Sequence, residues 1–282
     1  MKITFWGVRG SIASPGPETA EFGGNTSSVE LDCGDARVVL DAGTGLRNLG
    51  NRMLARKDPL DVTLLLSHYH WDHIQGLPFF VPIYMRDTRM KIIGQKAGVV
   101  GAREALFHQM QAPVFPVRLD EVGARIETQE LSPGESVHEG PAKITAMKLN
   151  HPGGVLAYRV ECRGKSVVYA TDTEHYACVD PALLALAAGA DLLIYDAQYT
   201  PEEYPRKVGW GHSTYVAGCE LAKAAGVGSL ALFHHDPLRT DQGVREIEAR
   251  AQELFPRAFA AKEGMSIDLA ESGDGFLTVT AA

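Results

Sequence analysis

The sequence has few cysteines, no long apolar run and no excess of basic residues, and each absence excludes a class of protein. The four cysteines among 282 residues, Cys33, Cys162, Cys178 and Cys219, form no CxxC pair, which excludes a zinc ribbon, and they are too few for a disulfide scaffold. The longest apolar run, residues 181–190, is too short to cross a membrane. The formal net charge is −8, whereas surfaces that bind long nucleic acids are basic.

These absences define the expected setting of the protein. The first residues, MKITFWGVRG, contain no apolar signal core, so we expect a cytoplasmic protein that contacts no membrane. The acidic balance leads us to expect no long nucleic acid as a partner. It is compatible with a small anionic ligand, because a bound metal ion supplies local positive charge.

Short β-rich runs alternate with helical stretches along the chain. Runs such as VTLLLS (62–67) and DLLIYDA (191–197) are mostly apolar, as in sheets covered on both faces. The strands cluster early and again in the middle, which predicts two sheets, each covered by helices. We expect residues 1–282 to form one α/β domain, with 95–142 as an irregular insertion or lid near the site.

A histidine or an aspartate follows many of the predicted strands. The five residues in this position are Asp41, His68, His151, Asp172 and His234. Polar residues begin many loops, which would explain any one of them. The chain has only ten histidines, however, and three of them stand here. Ligands of α/β folds bind at the carboxyl ends of strands, so the five predict a site.

The stretch SHYHWDH (67–73) gives this site its chemistry. In an extended segment, His68 and His70 point to the same side, so both can reach one cation. Asp72 and His73 then turn towards a second position. Imidazoles combined with carboxylates suit Zn²⁺, and also Mn²⁺ or Fe²⁺. The stretch therefore predicts bound metal.

The chain resembles the metallo-β-lactamase fold hydrolases over essentially its whole length. The motifs that carry the resemblance, in the family's order, are LDAGTG (40–45), SHYHWDH (67–73), NHPGG (150–154), ATDTE (170–174), GHST (211–214) and LFHHDP (232–237). The chain is most similar to the ribonuclease Z and phosphodiesterase branch. The resemblance implies a four-layer αββα sandwich, with two mixed β-sheets flanked by helices and two metal ions at one edge of the sheets.

The resemblance also implies a set of metal ligands. The first ion would take His68, His70 and His151, the second would take Asp72, His73 and His234, and Asp172 would bridge the two. His234 is preferred over His235 because it matches the histidine that follows an apolar strand in this branch. Asp41 would support the metal loop without binding metal. Zinc is the expected metal, with manganese or iron as alternatives.

The same resemblance implies hydrolysis by a metal-bridging hydroxide, which Asp72 would orient. His212, in GHST, would donate a proton to the leaving group, and Asp196 would orient His212. Two further residues are candidates for substrate binding. Arg9, a loop arginine beside glycine, has the geometry to bind a phosphate, although a structural role explains it equally well. His235 is the other candidate.

Three features of the sequence, compared with members of this family, indicate the substrate class. Position 172 is Asp where one class of lactam-cleaving relatives has Cys, and the HST motif favours phosphoester cleavage. Only 21 positions separate His151 from Asp172, which leaves no room for the arm that grips tRNA in ribonuclease Z. We expect a small phosphodiester, such as a cyclic nucleotide, as substrate, and a homodimer is one candidate assembly. The alternatives are a lactonase, thioesterase or β-lactamase-like hydrolase, and less favourably a non-catalytic nucleotide sensor.

Overall fold

Two β-sheets form the centre of the structure, a computed structural model that describes residues 1–95, 100–270 and 278–281. The strands in chain order are β1 (Lys2–Gly7), β2 (Ser28–Asp32), β3 (Arg37–Leu40), β4 (Asp61–Leu65), β5 (Arg89–Gly94), β6 (Arg125–Glu130), β7 (Ser136–Glu139), β8 (Ala142–Leu149), β9 (Val155–Cys162), β10 (Lys165–Ala170), β11 (Leu192–Asp196), β12 (Ser229–Phe233), β13 (Ala258–Ala260), β14 (Met265–Asp268) and β15 (Thr278–Ala281). The first sheet has the order β15-β14-β1-β2-β3-β4-β5-β6 and the second β13-β12-β11-β10-β9-β8-β7.

Both sheets are mixed, since each combines a parallel half with an antiparallel half. Strands β3 to β6 pair in parallel in the first sheet, as do β10 to β13 in the second. The α-helices are α1 (Leu46–Arg56), α2 (Trp71–Ile74), α3 (Ala102–Gln109), α4 (Pro181–Ala187), α5 (Tyr215–Ala225) and α6 (Asp241–Leu254). Each of them lies between two consecutive strands that pair in parallel, since parallel neighbours need a crossover connection.

Alternation along the buried strands produces the layers. In β10, Val167 and Tyr169 pack into the core between the sheets, while Val168 and Ala170 pack against the helices α4, α5 and α6. A separate cluster joins α1 and α3 to the outer face of the first sheet. Strands with two buried faces must be apolar throughout, which explains their continuous apolar runs. The predicted four-layer αββα sandwich is confirmed. Among the residues described, no helix is both long enough and apolar enough to cross a bilayer.

The segment 95–142 is more regular than predicted. Residues 96–99 lie outside the described part of the chain, and the rest contains α3, β6 and β7. Strand β6 is the outermost strand of its sheet and exposes or half-buries each of its residues. It therefore needs few apolar side chains, and no strand pattern is legible in its sequence. Gln109 Nε2 donates to Ile74 O at 2.9 Å, which joins α3 to α2. A lid role for the segment stays a prediction.

Candidate metal centre

Strands of both sheets end at the same edge of the sandwich and deliver the predicted site residues there. Asp41 follows β3, Asp172 follows β10 and His234 follows β12. All three have left-handed backbone conformations, with φ of 61°, 51° and 60°. Such a conformation ends the strand abruptly, so that the side chain turns over the edge of the sheet.

Seven side chains meet at this edge in two groups. The donor atoms of each group lie within 4.8 Å of one another, and the groups are His68, His70 and His151, and Asp72, His73, Asp172 and His234. Asp172, a member of the second group, also approaches the first group. Its Oδ1 is 3.2 Å from His73 Nε2 and 3.1 Å from His234 Nε2. Its Oδ2 is 3.6 Å from His68 Nε2 and 3.9 Å from His151 Nε2. Each oxygen of this carboxylate thus faces a different group.

Four of the histidines are held at Nδ1, which leaves Nε2 facing inwards. The Nδ1 partners are Ser67 Oγ for His68 (3.1 Å), Asp41 Oδ2 for His73 (2.8 Å), Gly211 O for His151 (2.9 Å) and Gln198 Oε1 for His234 (3.0 Å). Within the described residues, the buried Nε2 atoms of His68 and His73 have no hydrogen-bond partner. Metal-binding histidines are typically held this way at the opposite nitrogen. The donor set therefore fits divalent metal ions.

The electrostatics of the cluster also favour a cation. Burial lowers the pKa of His73, but the carboxylates of Asp172, Asp72 and Asp41 outweigh this effect and raise its pKa well above the ordinary value. Burial and the neighbouring His73 instead lower the pKa of His68 well below its ordinary value. Three buried carboxylates thus demand positive charge at this place, which a metal ion would supply.

The Asp72 carboxylate of the second group is held in its ionised form. Burial raises the pKa of Asp72, but His73 and His234 outweigh this effect and lower it. Its Oδ2 is 3.1 Å from His73 Nε2 and 3.2 Å from His234 Nε2. The same oxygen accepts a hydrogen bond from Ser11 N at 2.7 Å.

His212 lies against the second group and is paired with Asp196. The distance from His212 Nδ1 to Asp196 Oδ2 is 2.8 Å, and both residues are buried. The His212 ring stacks on the His234 ring, with 5.0 Å between centroids. Burial lowers the pKa of His212, but Asp196 and then Asp172 raise it to about 9. Its Nε2 is therefore available as a proton donor at neutral pH.

The metal-ligand groups open into a cavity of about 490 Å³. The residues that line it are Ser11, Tyr69, His70, Trp71, Asp72, Asp172 and His212. The Asp72 side chain and the His212 ring both line this cavity, so both face the space that a substrate would occupy. The site thus combines metal-binding groups with a proton donor, which is the combination that hydrolysis requires.

Asp41 is buried beneath the metal loop and touches it at several points. Its Oδ1 accepts from Ser67 N at 2.7 Å. Its Oδ2 accepts from Ser67 Oγ, His73 Nδ1 and Tyr169 Oη, each at 2.8 Å. These contacts agree with the predicted support of the loop.

The two residues predicted to bind substrate are placed elsewhere. Arg9 is fully buried, and its guanidinium donates to the backbone carbonyls of Gly23, Asp236 and Arg239 at 2.7–3.0 Å. It fastens loops together and has no access to a phosphate. His235 Nε2 donates to Ala261 O at 2.9 Å, away from the cluster. These contacts fit the structural alternative for Arg9 and give no geometric support to substrate binding by either residue.

Several residues that hold the site were missed in the sequence. Gln198 holds His234 Nδ1, Gly211 holds His151 Nδ1, and Ser11 N holds Asp72. The position of Gln198, two residues after β11, carries the strand-end signal that identified the other residues. Nothing in the sequence marks Ser11, and the GHST motif includes Gly211 without indicating its role, because both residues contribute backbone groups.

Comparison with known proteins identifies the class. A family model described as "Beta-lactamase superfamily domain" matches residues 36–235, well over half of the chain. Ribonuclease Z of Archaeoglobus fulgidus is 23% identical over 323 aligned residues, covering 95% of this chain and 98% of that protein. Among solved structures, the metallo-β-lactamase fold protein YhfI of Bacillus subtilis has a TM-score of 0.70 at 22% identity and covers 94% of this chain and 97% of its own. Human tRNase Z, short form, has a TM-score of 0.70 at 19% identity, covering 95% and 99%.

Fold and site together define a metal-dependent hydrolase of the metallo-β-lactamase fold. The chain belongs to the β-lactamase superfamily domain family.

The expectation of a small-molecule substrate and of no long nucleic acid is wrong. Curated relatives that align with nearly the whole chain bear the name Ribonuclease Z. The expectation rested on a net charge of −8 and on the short gap between His151 and Asp172. Net charge is a property of the whole surface, whereas phosphate binding depends on the local field, which metal ions reverse. The short gap removes one means of gripping RNA and leaves others.

Proposed function

We propose that this centre hydrolyses phosphodiester bonds, with RNA among its substrates. The observation that carries the proposal is the buried His212–Asp196 pair beside the metal-ligand groups and in the same cavity. A proton donor in this place serves a poor leaving group such as a ribose oxygen. The names of the curated relatives support RNA as the first substrate class to test.

Two divalent ions would be held by the seven ligands, with Asp172 shared between them. We propose zinc, because imidazole nitrogens dominate the donor set and zinc prefers nitrogen over oxygen donors more strongly than magnesium or calcium does. Bound ions of this kind lower the pKa of water and neutralise charge that develops on a phosphoryl group.

The protein's own residues position the remaining groups. Ser11 N and the imidazoles of His73 and His234 fix Asp72 Oδ2 at the cavity wall, where the ionised carboxylate is placed to orient a water molecule. Asp196 holds His212 Nδ1, so that Nε2–H of His212 is directed to the leaving oxygen. Since the pKa of His212 is raised to about 9, this proton is present at neutral pH.

The test is a substrate panel for zinc-loaded protein. The panel contains a precursor tRNA with a 3′ extension, a short single-stranded RNA, bis(p-nitrophenyl) phosphate, a lactone, a thioester and a chromogenic cephalosporin. We expect turnover of phosphodiesters and its loss by about 10²- to 10⁴-fold in His212→Ala, the range for a missing general acid. His138→Ala, which removes an exposed imidazole on β7, is the matched control. Turnover of the lactone, thioester or cephalosporin without any phosphodiester would refute the proposal.

A further inference from the structure

Glu174 is a buried carboxylate close to the metal centre that the hydrolytic mechanism does not use. It lies two residues after Asp172 and is 1% exposed. Its backbone N–H donates to Asn150 O at 2.8 Å, directly before the ligand His151. Its carboxylate accepts hydrogen bonds from residues outside the two metal-ligand groups. A buried carboxylate needs compensating donors, and their identity shows what Glu174 holds.

Within the described part of the chain, the three donors to the Glu174 carboxylate all come from the loop that precedes His212. Oε1 accepts from Tyr204 Oη at 2.9 Å and from Gly209 N at 2.8 Å. Oε2 accepts from Gly211 N at 2.9 Å. Hydrogen bonds to a charged acceptor are about twice as strong as those between neutral groups. One side chain thus fixes both ends of the 204–211 segment.

Gly211 transmits this constraint to a metal ligand. Its carbonyl accepts the hydrogen bond from His151 Nδ1 at 2.9 Å, which directs His151 Nε2 towards Asp172 and the first ligand group. The contact is so close that a Cβ on Gly211 would lie 2.2 Å from His151 Nδ1, and its φ of +86° also requires glycine. The position of His151 therefore depends on where Gly211 is held.

We propose that Glu174 is a positioning residue for the metal centre, acting through Gly211 on His151 and on the adjoining His212. This inference rests on the metal binding assumed in the proposed function. It differs from a purely structural role, in which Glu174 would only stabilise the loop. Positioning through Gly211 must weaken the His151-containing metal site selectively, whereas general loop stabilisation would not distinguish between the two sites.

The experiment measures zinc affinity by competition with a chromophoric chelator, in the absence of substrate. In Glu174→Gln, an amide with one oxygen replaces a carboxylate that accepts from three donors. We expect one of two zinc dissociation constants to rise about 10- to 100-fold, the usual effect of losing outer support for a ligand. The other constant should change less than about threefold, because Asp41 and Gln198, and not Gly211, hold the histidines His73 and His234. Glu203→Gln is the matched control, because Glu203 lies on the same loop as Gly211 but its Oε2 accepts from Thr200 N and from Arg239 Nη2, which lies after β12.

A double-mutant cycle with His151→Ala tests the route of the effect. If Glu174 acts through His151, Glu174→Gln should cause no further loss of zinc affinity once the imidazole is gone. A full, additive loss in that background would overturn the inference, as would two unchanged constants in Glu174→Gln alone. Should Glu174→Gln fail to fold, Glu174→Asp replaces it and is judged by the same outcomes. Failure of the wild type to bind any zinc would overturn both this inference and the proposed function, whereas an unaffected Glu174 variant overturns only the former.

Discussion

Replacing Asp41 by Asn tests whether support from beneath the metal loop determines metal affinity. The Asp41 carboxylate is fully buried and accepts four hydrogen bonds, from Ser67 N, Ser67 Oγ, His73 Nδ1 and Tyr169 Oη, at 2.7–2.8 Å. An asparagine has one acceptor oxygen and an NH₂ group. In its best orientation it keeps the three bonds at the Oδ2 position and sets its NH₂ against Ser67 N–H.

The magnitude follows from this count. One hydrogen bond to a charged acceptor is lost, and two buried donor groups, Ser67 N–H and the new NH₂, face each other without an acceptor. At about 1–3 kcal/mol for each group, this costs about 2–6 kcal/mol in the free energy of unfolding of the metal-free protein. The three remaining bonds weaken because their acceptor is now neutral. The bond to His73 Nδ1 is one of these, so the second ligand group loses orientation. We expect zinc affinity to fall about 10- to 100-fold.

Urea denaturation of the metal-free protein gives the first quantity, and competition with a chelator gives the second. Asp35→Asn is the matched control, because Asp35 is exposed and pairs only with Arg163 among the described residues. If Asp41→Asn left both zinc constants within about twofold of the wild type, less than 0.5 kcal/mol, the reasoning would be refuted. A loss of stability without a loss of affinity would show that Asp41 supports the fold and not the metal.

Three further predictions concern other parts of the molecule. Asp196→Asn removes the charge that raises the pKa of His212 to about 9, so the pKa of His212 should fall. The alkaline limb of the kcat–pH profile should then move to lower pH, and an unmoved limb would contradict the role of Asp196. Chelation of metal should abolish activity and lower the melting temperature, because ligands that bind only the folded state stabilise it, and added zinc should restore both. Full activity after dialysis against chelator, with metal analysis confirming removal, would contradict a metal-dependent mechanism. Glu30 is 1% exposed and binds Arg37, Arg52 and Trp6. Glu30→Gln should therefore lower the free energy of unfolding by about 2–4 kcal/mol without changing kcat. A change below about 1 kcal/mol in urea denaturation would show that water replaces the carboxylate as the partner of these partly exposed arginines.

The fold and the gathering of the candidate ligands at one sheet edge were predictable because they depend on patterns that sequence carries. A strand covered on both faces must be apolar, and the residue that follows it stands at the sheet edge, so Asp172 and His234 were placed by the ends of β10 and β12. His68 and His70 were assigned to one ion from the period of an extended segment, and the structure groups them with His151. These inferences need only local geometry and the family's motifs.

The errors concern features that depend on folding at a distance. Whether Arg9 reaches solvent or the interior is decided by carbonyls more than 200 positions away, at Asp236 and Arg239. Gly211 meets His151 across 60 positions, and its contribution is a backbone oxygen that every residue type possesses. No pattern in a single sequence distinguishes such an oxygen from any other. Prediction from sequence therefore found the side chains that gather at the sheet edge and missed most of the groups that hold them.

The backbone at the sheet edge shows how the fold and the site depend on each other. Asp41, Asp172 and His234 all occupy the left-handed region, which costs roughly 1–2 kcal/mol for a residue with a Cβ. Glycine would relieve that cost at each position but would supply no ligand or support. These three conformations are tolerated because the strands that precede them are packed on both faces, by the core between the sheets on one side and by a helix-covered core on the other. The rigid sandwich is therefore what permits the strained turns, and the strained turns are what bring carboxylates and imidazoles from both sheets to one point.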